Sequence, residues 1–113
     1  MTDCIFCKII GGEIPSKKVY EDEFVYAFND LEPQAPVHVL VIPKKHISNV
    51  DEIVEEDKEL IGHIYLSISK IAKDLGLEKG YRVVVNNKEH GGQSVSHLHF
   101  HLLGGRQMTW PAG

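Results

Sequence analysis

The sequence predicts an α+β domain: an antiparallel sheet of about five strands, one long helix and one short N-terminal helix. Three observations predict it. Short β-branched and aromatic runs are bounded by Gly, Pro and acidic turn residues. They fall before and after one long segment of helical periodicity instead of alternating with helices, which disfavours a parallel sheet. The last run, Ser94 to Leu103, alternates histidine with apolar residues, the period of a strand.

Each element follows in order. Cys4 to Gly11 is short and apolar and stops at Gly11-Gly12, the length of a helical turn or two. Val19-Tyr20 and Phe24 to Asn29 read as strands around the turn-like Glu21-Asp22-Glu23. Pro33 and Pro36 break the next stretch into a loop. His38 to Ile42 is an apolar, β-branched strand closed by Pro43, and Lys44 to Asp51 is a polar connection. From about Asp57 to Leu75, the residues Leu60, Ile61, Ile64, Ile68, Ile71, Ala72 and Leu75 recur at helical spacing, with Gly76 as the stop. His63 on this helix reads as solvent-facing. Tyr81 to Asn86 is a further strand, Lys88 to Gln93 a glycine-containing loop, and Gly104-Gly105 leads to a short tail. Such a sheet is expected to be covered on one face.

At 113 residues the chain is one domain, 1–113, without repeats or linkers. A formal charge of −4 argues against nucleic acid as a partner but leaves a mononucleotide open. No run approaches the ~18 apolar residues of a membrane span. Met1 to Ile10 has no basic region followed by a long apolar stretch, so no signal peptide is expected and the protein is read as cytoplasmic. Two cysteines in such a chain suggest metal or thiol chemistry before a structural disulfide.

His97, His99 and His101 would share one strand face, roughly 6.5–7 Å apart in succession, with Leu98, Phe100 and Leu102 on the other. One such histidine would read as solvated surface; three in register point to chemistry near neutral pH. Two chemistries compete: imidazoles ligating one catalytic metal, or one imidazole acting as a nucleophile that the others orient. The upstream loop His90-Gly91-Gly92-Gln93-Ser94 offers backbone N–H groups that can cradle a phosphate, favouring phosphoryl or nucleotidyl transfer. His38 opens an apolar strand, where an inward histidine needs a partner. Cys4-x-x-Cys7 has metal-ligand spacing but supplies half a tetrahedral site; free buried thiols are the alternative.

These residues resemble the histidine triad (HIT) nucleotide-binding proteins. His97-Leu98-His99-Phe100-His101-Leu102-Leu103 matches the signature His-φ-His-φ-His-φ-φ. Phe6 to Pro15, Pro33 to Ser48, Gly91 to Ser94 and the closing Gly104 to Gly113 are similar to the Hint branch, the purine nucleoside phosphoramidases. The resemblance implies a HIT-like fold that dimerises and an enzyme hydrolysing P–N bonds in purine nucleoside 5′-phosphoramidates through a nucleotidyl-histidine. It implies His99 as the nucleophile, with His101, His38 and Ser94 completing the catalytic set. It assigns nucleotide binding to Asp30 at the ribose, to Phe6, Ile9, Ile14 and Leu31 around the base, and to Asn86, Gln93, Ser94, His99 and His101 at the phosphate. Trp110 would lie near the partner's site in a homodimer. Ligands would be AMP, GMP and adenosine phosphoramidates. Some members hold zinc with two cysteines, a histidine like His46 and the first triad histidine, which maps structural Zn2+ to Cys4, Cys7, His46 and His97, with no cofactor needed for the chemistry. Two rival readings are a nucleotide-binding regulatory module with little turnover and a metal-dependent phosphoester hydrolase.

Overall fold

Five strands, β1 (Lys18–Glu21), β2 (Val25–Asn29), β3 (Val37–Pro43), β4 (Tyr81–Val84) and β5 (Phe100–Gly104), pair antiparallel in the order β1-β2-β3-β5-β4. The computed structural model describes residues 3–113; Met1 and Thr2, at the start of the expected 1–113 domain, lie outside them. The helices are α1 (Ile5–Ile10), α2 (Lys58–Asp74) and the single turn α3 (Lys88–Gly91). Among the described residues no helix is long and apolar enough to cross a membrane.

The central strands β2 and β3 are buried along nearly their whole length, because both faces of the sheet are covered. On one face Val25, Ala27, Val39, Val41, Leu98, Phe100 and Leu102 meet Ile64, Ile68, Ile71 and Ala72 of α2. Each of these helix isoleucines is at most 2% exposed, which contributes about 2 kcal/mol apiece by area. On the other face Tyr26, Phe28, Leu40 and Ile42 meet Phe6 and Ile9 of α1. The expectation of one covered face is therefore incomplete: α1, six residues long, shields the second. A helix this short does not persist alone in water, so packing must hold it. α2 ends as expected, with Gly76 at φ +75° in the left-handed conformation and its N–H donating to the Lys73 carbonyl.

Two differences from the sequence reading have physical causes. The strand expected from Ser94 begins only at Phe100. Its partner runs out: the β3–β5 register pairs Val41 with Phe100, so continuing it would set Ile42 against His99 and Pro43, which has no N–H to offer, against Leu98. The Leu98 N–H instead donates to the Ile47 carbonyl at 2.6 Å, and Ser94 to His99 run as irregular chain. Alternation nevertheless persists, with Leu98 in the α2 core and the histidines outside it.

His63, read as solvent-facing, is half-buried and bonded to Asp22 at 2.7 Å. Asp22 closes the β1–β2 turn. It accepts from the backbone N–H groups of Phe24 and Val25 at 2.8 and 2.9 Å and from the Tyr20 hydroxyl at 2.7 Å. Burial pushes its carboxyl up, but the bonds from Tyr20, Phe24, His63 and Val25 outweigh this and bring it to about 2. Asp22→Ala is expected to lower stability by about 2 kcal/mol near pH 7, read as a shift in urea midpoint.

Candidate active site

The histidines leave the sheet face shared with α1, and their hydrogen bonds define where each proton sits. His99 is 4% exposed, and its Nδ1 lies 2.7 Å from the His97 carbonyl. A carbonyl only accepts, so Nδ1 carries the hydrogen and the neutral ring keeps its lone pair on Nε2. The Phe6 ring stands edge-on to His99 at 5.2 Å, restricting its rotation. A buried imidazole with a fixed tautomer and a free Nε2 lone pair is equipped for nucleophilic attack.

His38 on β3 and His101 on β5 form a second chain of assigned protons. The Gln34 backbone N–H donates to His38 Nδ1 at 3.0 Å, which places the neutral ring's hydrogen on Nε2. That group donates to His101 Nδ1 at 2.9 Å; Asp30 Oδ2 lies farther from it, at 3.4 Å. His101 then carries its own hydrogen on Nε2. Among the described residues, this Nε2 is the buried side-chain polar atom without a partner. A buried N–H without an acceptor is costly, and an oxygen of an anionic ligand would satisfy it. The His101 and His99 rings are 5.1 Å apart, so the His99 lone pair and the His101 donor belong to one site. Asp30, His38 and His101 are close enough to hold an ion, but both His38 nitrogens are already used within the chain.

Burial pushes His38 below its ordinary pKa, against the opposing pull of Asp30. Burial, helped by the charges of His99 and His38, pushes His101 from 6.5 down to about 4. Between these two values the unfolded chain binds a proton that the folded chain does not. Stability therefore rises with pH from about 4 to 6.5 and is lost as pH falls through that window. Urea midpoints across the window should show this slope, and His101→Asn should flatten it.

Beside the triad, Cys4, Cys7, His46 and His97 bring four ligand atoms within 4.8 Å of one another. His97 is fully buried, and its Nε2–H donates to the Pro43 carbonyl at 2.9 Å, which leaves the Nδ1 lone pair facing the sulfurs. Nδ1 is 3.3 Å from Cys4 Sγ and 3.7 Å from Cys7 Sγ, and His46 Nδ1 is 3.3 Å from Cys7 Sγ. A tetrahedral zinc with ordinary bond lengths would set N···S separations of about 3.6 Å, so the four residues fit that ion. Burial raises the Cys7 thiol, with the Cys4 thiol adding to it.

The remaining sequence candidates divide. Phe6 and Ile9 are buried against the histidine face, and Ile14 packs half-buried at its edge. Asp30 accepts from the Glu32 N–H in an Asx turn and has its second oxygen toward His38. Ser94 is exposed directly upstream of the triad, and Asn86 is half-buried after β4. The Gln93 amide is spent on the loops: it donates to the carbonyls of Ser48 and Val95 and accepts from the Lys88 N–H. Leu31 and Trp110 stand in the open, 91% and 83% exposed. Sequence reasoning missed the Gln34 amide and the Pro43 carbonyl, because backbone groups leave no side-chain signature.

Comparison with known proteins supplies the lineage. A model of the HIT domain matches residues 11–108. An uncharacterized HIT-like protein of Synechococcus elongatus is 54% identical over 98% of this chain and 97% of its own length. Among solved structures, a HIT family hydrolase from Legionella pneumophila superposes with a TM-score of 0.97 at 53% identity, covering 98% of this chain and 100% of the other. A histidine triad nucleotide-binding protein from Candida albicans superposes with a TM-score of 0.83 at 39% identity, covering 98% and 85%. With its three histidines placed as the motif requires and its relatives matched from end to end, this chain belongs to the HIT family.

Proposed function

We propose that the protein is a nucleoside 5′-phosphoramidate hydrolase that prefers purine nucleotides and works through a nucleotidyl-histidine. The observation that carries this reading is the pairing of the free His99 Nε2 lone pair with the unpartnered His101 Nε2–H beside it. In the first step His99 Nε2 attacks the α-phosphorus, the substrate P–N bond breaks, and the amine departs with the bonding pair and a proton taken up from solvent. In the second, water attacks the same phosphorus and gives up a proton to solvent, and the P–N bond to His99 breaks to release the nucleoside monophosphate and restore the imidazole. The His101 Nε2–H bonds a phosphate oxygen, where negative charge grows in each transition state. Ser94, just upstream of the triad, would bond the leaving nitrogen, and Asp30 would accept from the ribose hydroxyls. Phe6, Ile9, Ile14 and Leu31 would enclose the base. The hydrolase and nucleotide-binding names of the Legionella and Candida relatives support the same class.

In this reading Cys4, Cys7, His46 and His97 hold a structural zinc. A closed Cys2His2 set leaves no open position for substrate, so the ion ties α1 to the triad segment and the chemistry stays with His99. Two cysteines that form no disulfide suit a cytoplasmic setting. Edge strand β4 and exposed Trp110 suit a homodimer. The test is incubation with adenosine 5′-phosphoramidate, following ammonia release and the intact mass of the enzyme. Turnover with a transient mass gain of one adenylyl group supports the proposal. Tight AMP binding with no amine release from any phosphoramidate would make the protein a nucleotide-binding module instead.

A further inference from the structure

We infer that Arg106 and the backbone of Gln34 together form a positioning device that sets which nitrogen of His38, and through it of His101, carries the proton. The inference rests on the reading of this site as a nucleotidyl-transfer centre.

The chain of contacts is continuous. Arg106 Nη2 donates to the Gln34 carbonyl at 3.1 Å. The N–H of the same residue donates to His38 Nδ1 at 3.0 Å. His38 Nε2 donates to His101 Nδ1 at 2.9 Å, and His101 Nε2–H is the buried donor with no partner. Each link has one chemically allowed direction. A backbone N–H cannot accept, so His38 Nδ1 must be the acceptor, and every later proton position follows. Without the Gln34 N–H, His38 could take its proton on Nδ1. His101 would then lose the donor that holds its hydrogen on Nε2, and a lone pair would face the substrate's phosphate.

The loop around Gln34 is exposed and needs a fixed orientation for this to work. The Gln34 amide donates to the Glu32 carbonyl at 3.0 Å, and the Glu32 N–H is held by Asp30, but both bonds stay within the loop. Beside the bond to His38 on β3, Arg106 ties the loop to the chain that follows β5. It reaches Gln34 because the chain turns sharply after β5 at Gly105, whose φ of +92° suits glycine. A Cβ there would lie 2.9 Å from Pro36, so a side chain would push tail and loop apart. The bond from Arg106 is a surface hydrogen bond from a charged donor, worth modest energy; it holds the peptide that follows the Gln34 Cα and through that Cα restrains the preceding peptide, whose N–H faces His38.

The test uses the full-length protein with ring-15N-labelled histidine, observed by NMR, beside steady-state kinetics on adenosine 5′-phosphoramidate. In the wild type, His38 and His101 should both show an unprotonated Nδ1 and a protonated Nε2. Arg106→Ala should convert these rings to tautomer mixtures, with kcat lowered about fivefold, KM nearly unchanged and thermal stability kept. Arg106→Lys, which can still donate one hydrogen bond, should recover most of the loss. A proton on Nδ1 of wild-type His38 overturns the inference, as does Arg106→Ala with wild-type tautomers. A wild type that shows the expected tautomers but turns over no phosphoramidate sinks the proposed reaction while the positioning device stands.

Discussion

His99→Ala should give a folded protein that still binds AMP, shows no adenylyl adduct, and releases amine at least about 10³-fold more slowly than the wild type. Removing a covalent nucleophile deletes the step that splits the reaction in two, and losses of that size or larger are usual. A 10³-fold loss corresponds to about 4 kcal/mol of transition-state stabilisation. Stability should change by much less, because His99 makes a single polar bond, to the His97 carbonyl, and its Nε2 is kept out of the fold's hydrogen-bond network. Calorimetric AMP affinity within a few-fold of wild type, with the adduct lost by mass spectrometry, separates a chemical role from a binding one. Residual turnover near the wild-type rate would exclude His99 as nucleophile and shift attention to a water activated elsewhere. His101→Ala makes an informative companion. It removes a phosphate donor and leaves the nucleophile, so the adduct should still form, only more slowly.

How much of this was legible beforehand depends on the kind of signal each residue emits. The helical spacing of Ile64, Ile68 and Ile71 located α2 to within a residue at each end, because periodic burial is written directly into side-chain identity. The alternation of His97, His99 and His101 with Leu98, Phe100 and Leu102 separated the chemical face from the core face correctly. It did so even though only the last part is true strand. What alternation could not show is that the β3–β5 ladder ends at Val41 and Phe100, just short of Pro43, since that depends on register with a partner nearly 60 positions away in sequence. Asp22 reads as a turn residue and His63 as a surface residue until the fold brings them to 2.7 Å. The division of labour within the triad was expected only from family likeness. What the structure adds is the orientation of three rings by backbone groups: the His97 carbonyl fixes His99, the Pro43 carbonyl fixes His97, and the Gln34 N–H fixes His38. Main-chain donors and acceptors are identical at every position, so only geometry can assign them.

Stripping the zinc proposed at Cys4, Cys7, His46 and His97 should lower the protein's melting temperature by about 10 °C or more, and Cys4→Ser with Cys7→Ser should reproduce the drop in a chain without that metal site. The six residues of α1 are too few to persist alone, and their hold on the sheet is Phe6, Ile9 and the cysteine cluster. Without an ion the cluster leaves two partly buried thiols against two imidazole lone pairs, a poor substitute for four metal–ligand bonds. The same cluster touches the proposed chemistry at one point: the His97 ring would supply a ligand to the proposed zinc, and its carbonyl holds His99. Metal loss should therefore loosen the nucleophile without removing it. Assayed well below the metal-free melting temperature, kcat should fall by no more than about tenfold. A catalytic metal predicts the opposite pair of results, complete loss of turnover on chelation with the melting temperature nearly unmoved. Metal analysis finding well under one zinc per chain in protein purified without chelator, with no stabilisation on adding it, would return Cys4 and Cys7 to the status of free thiols.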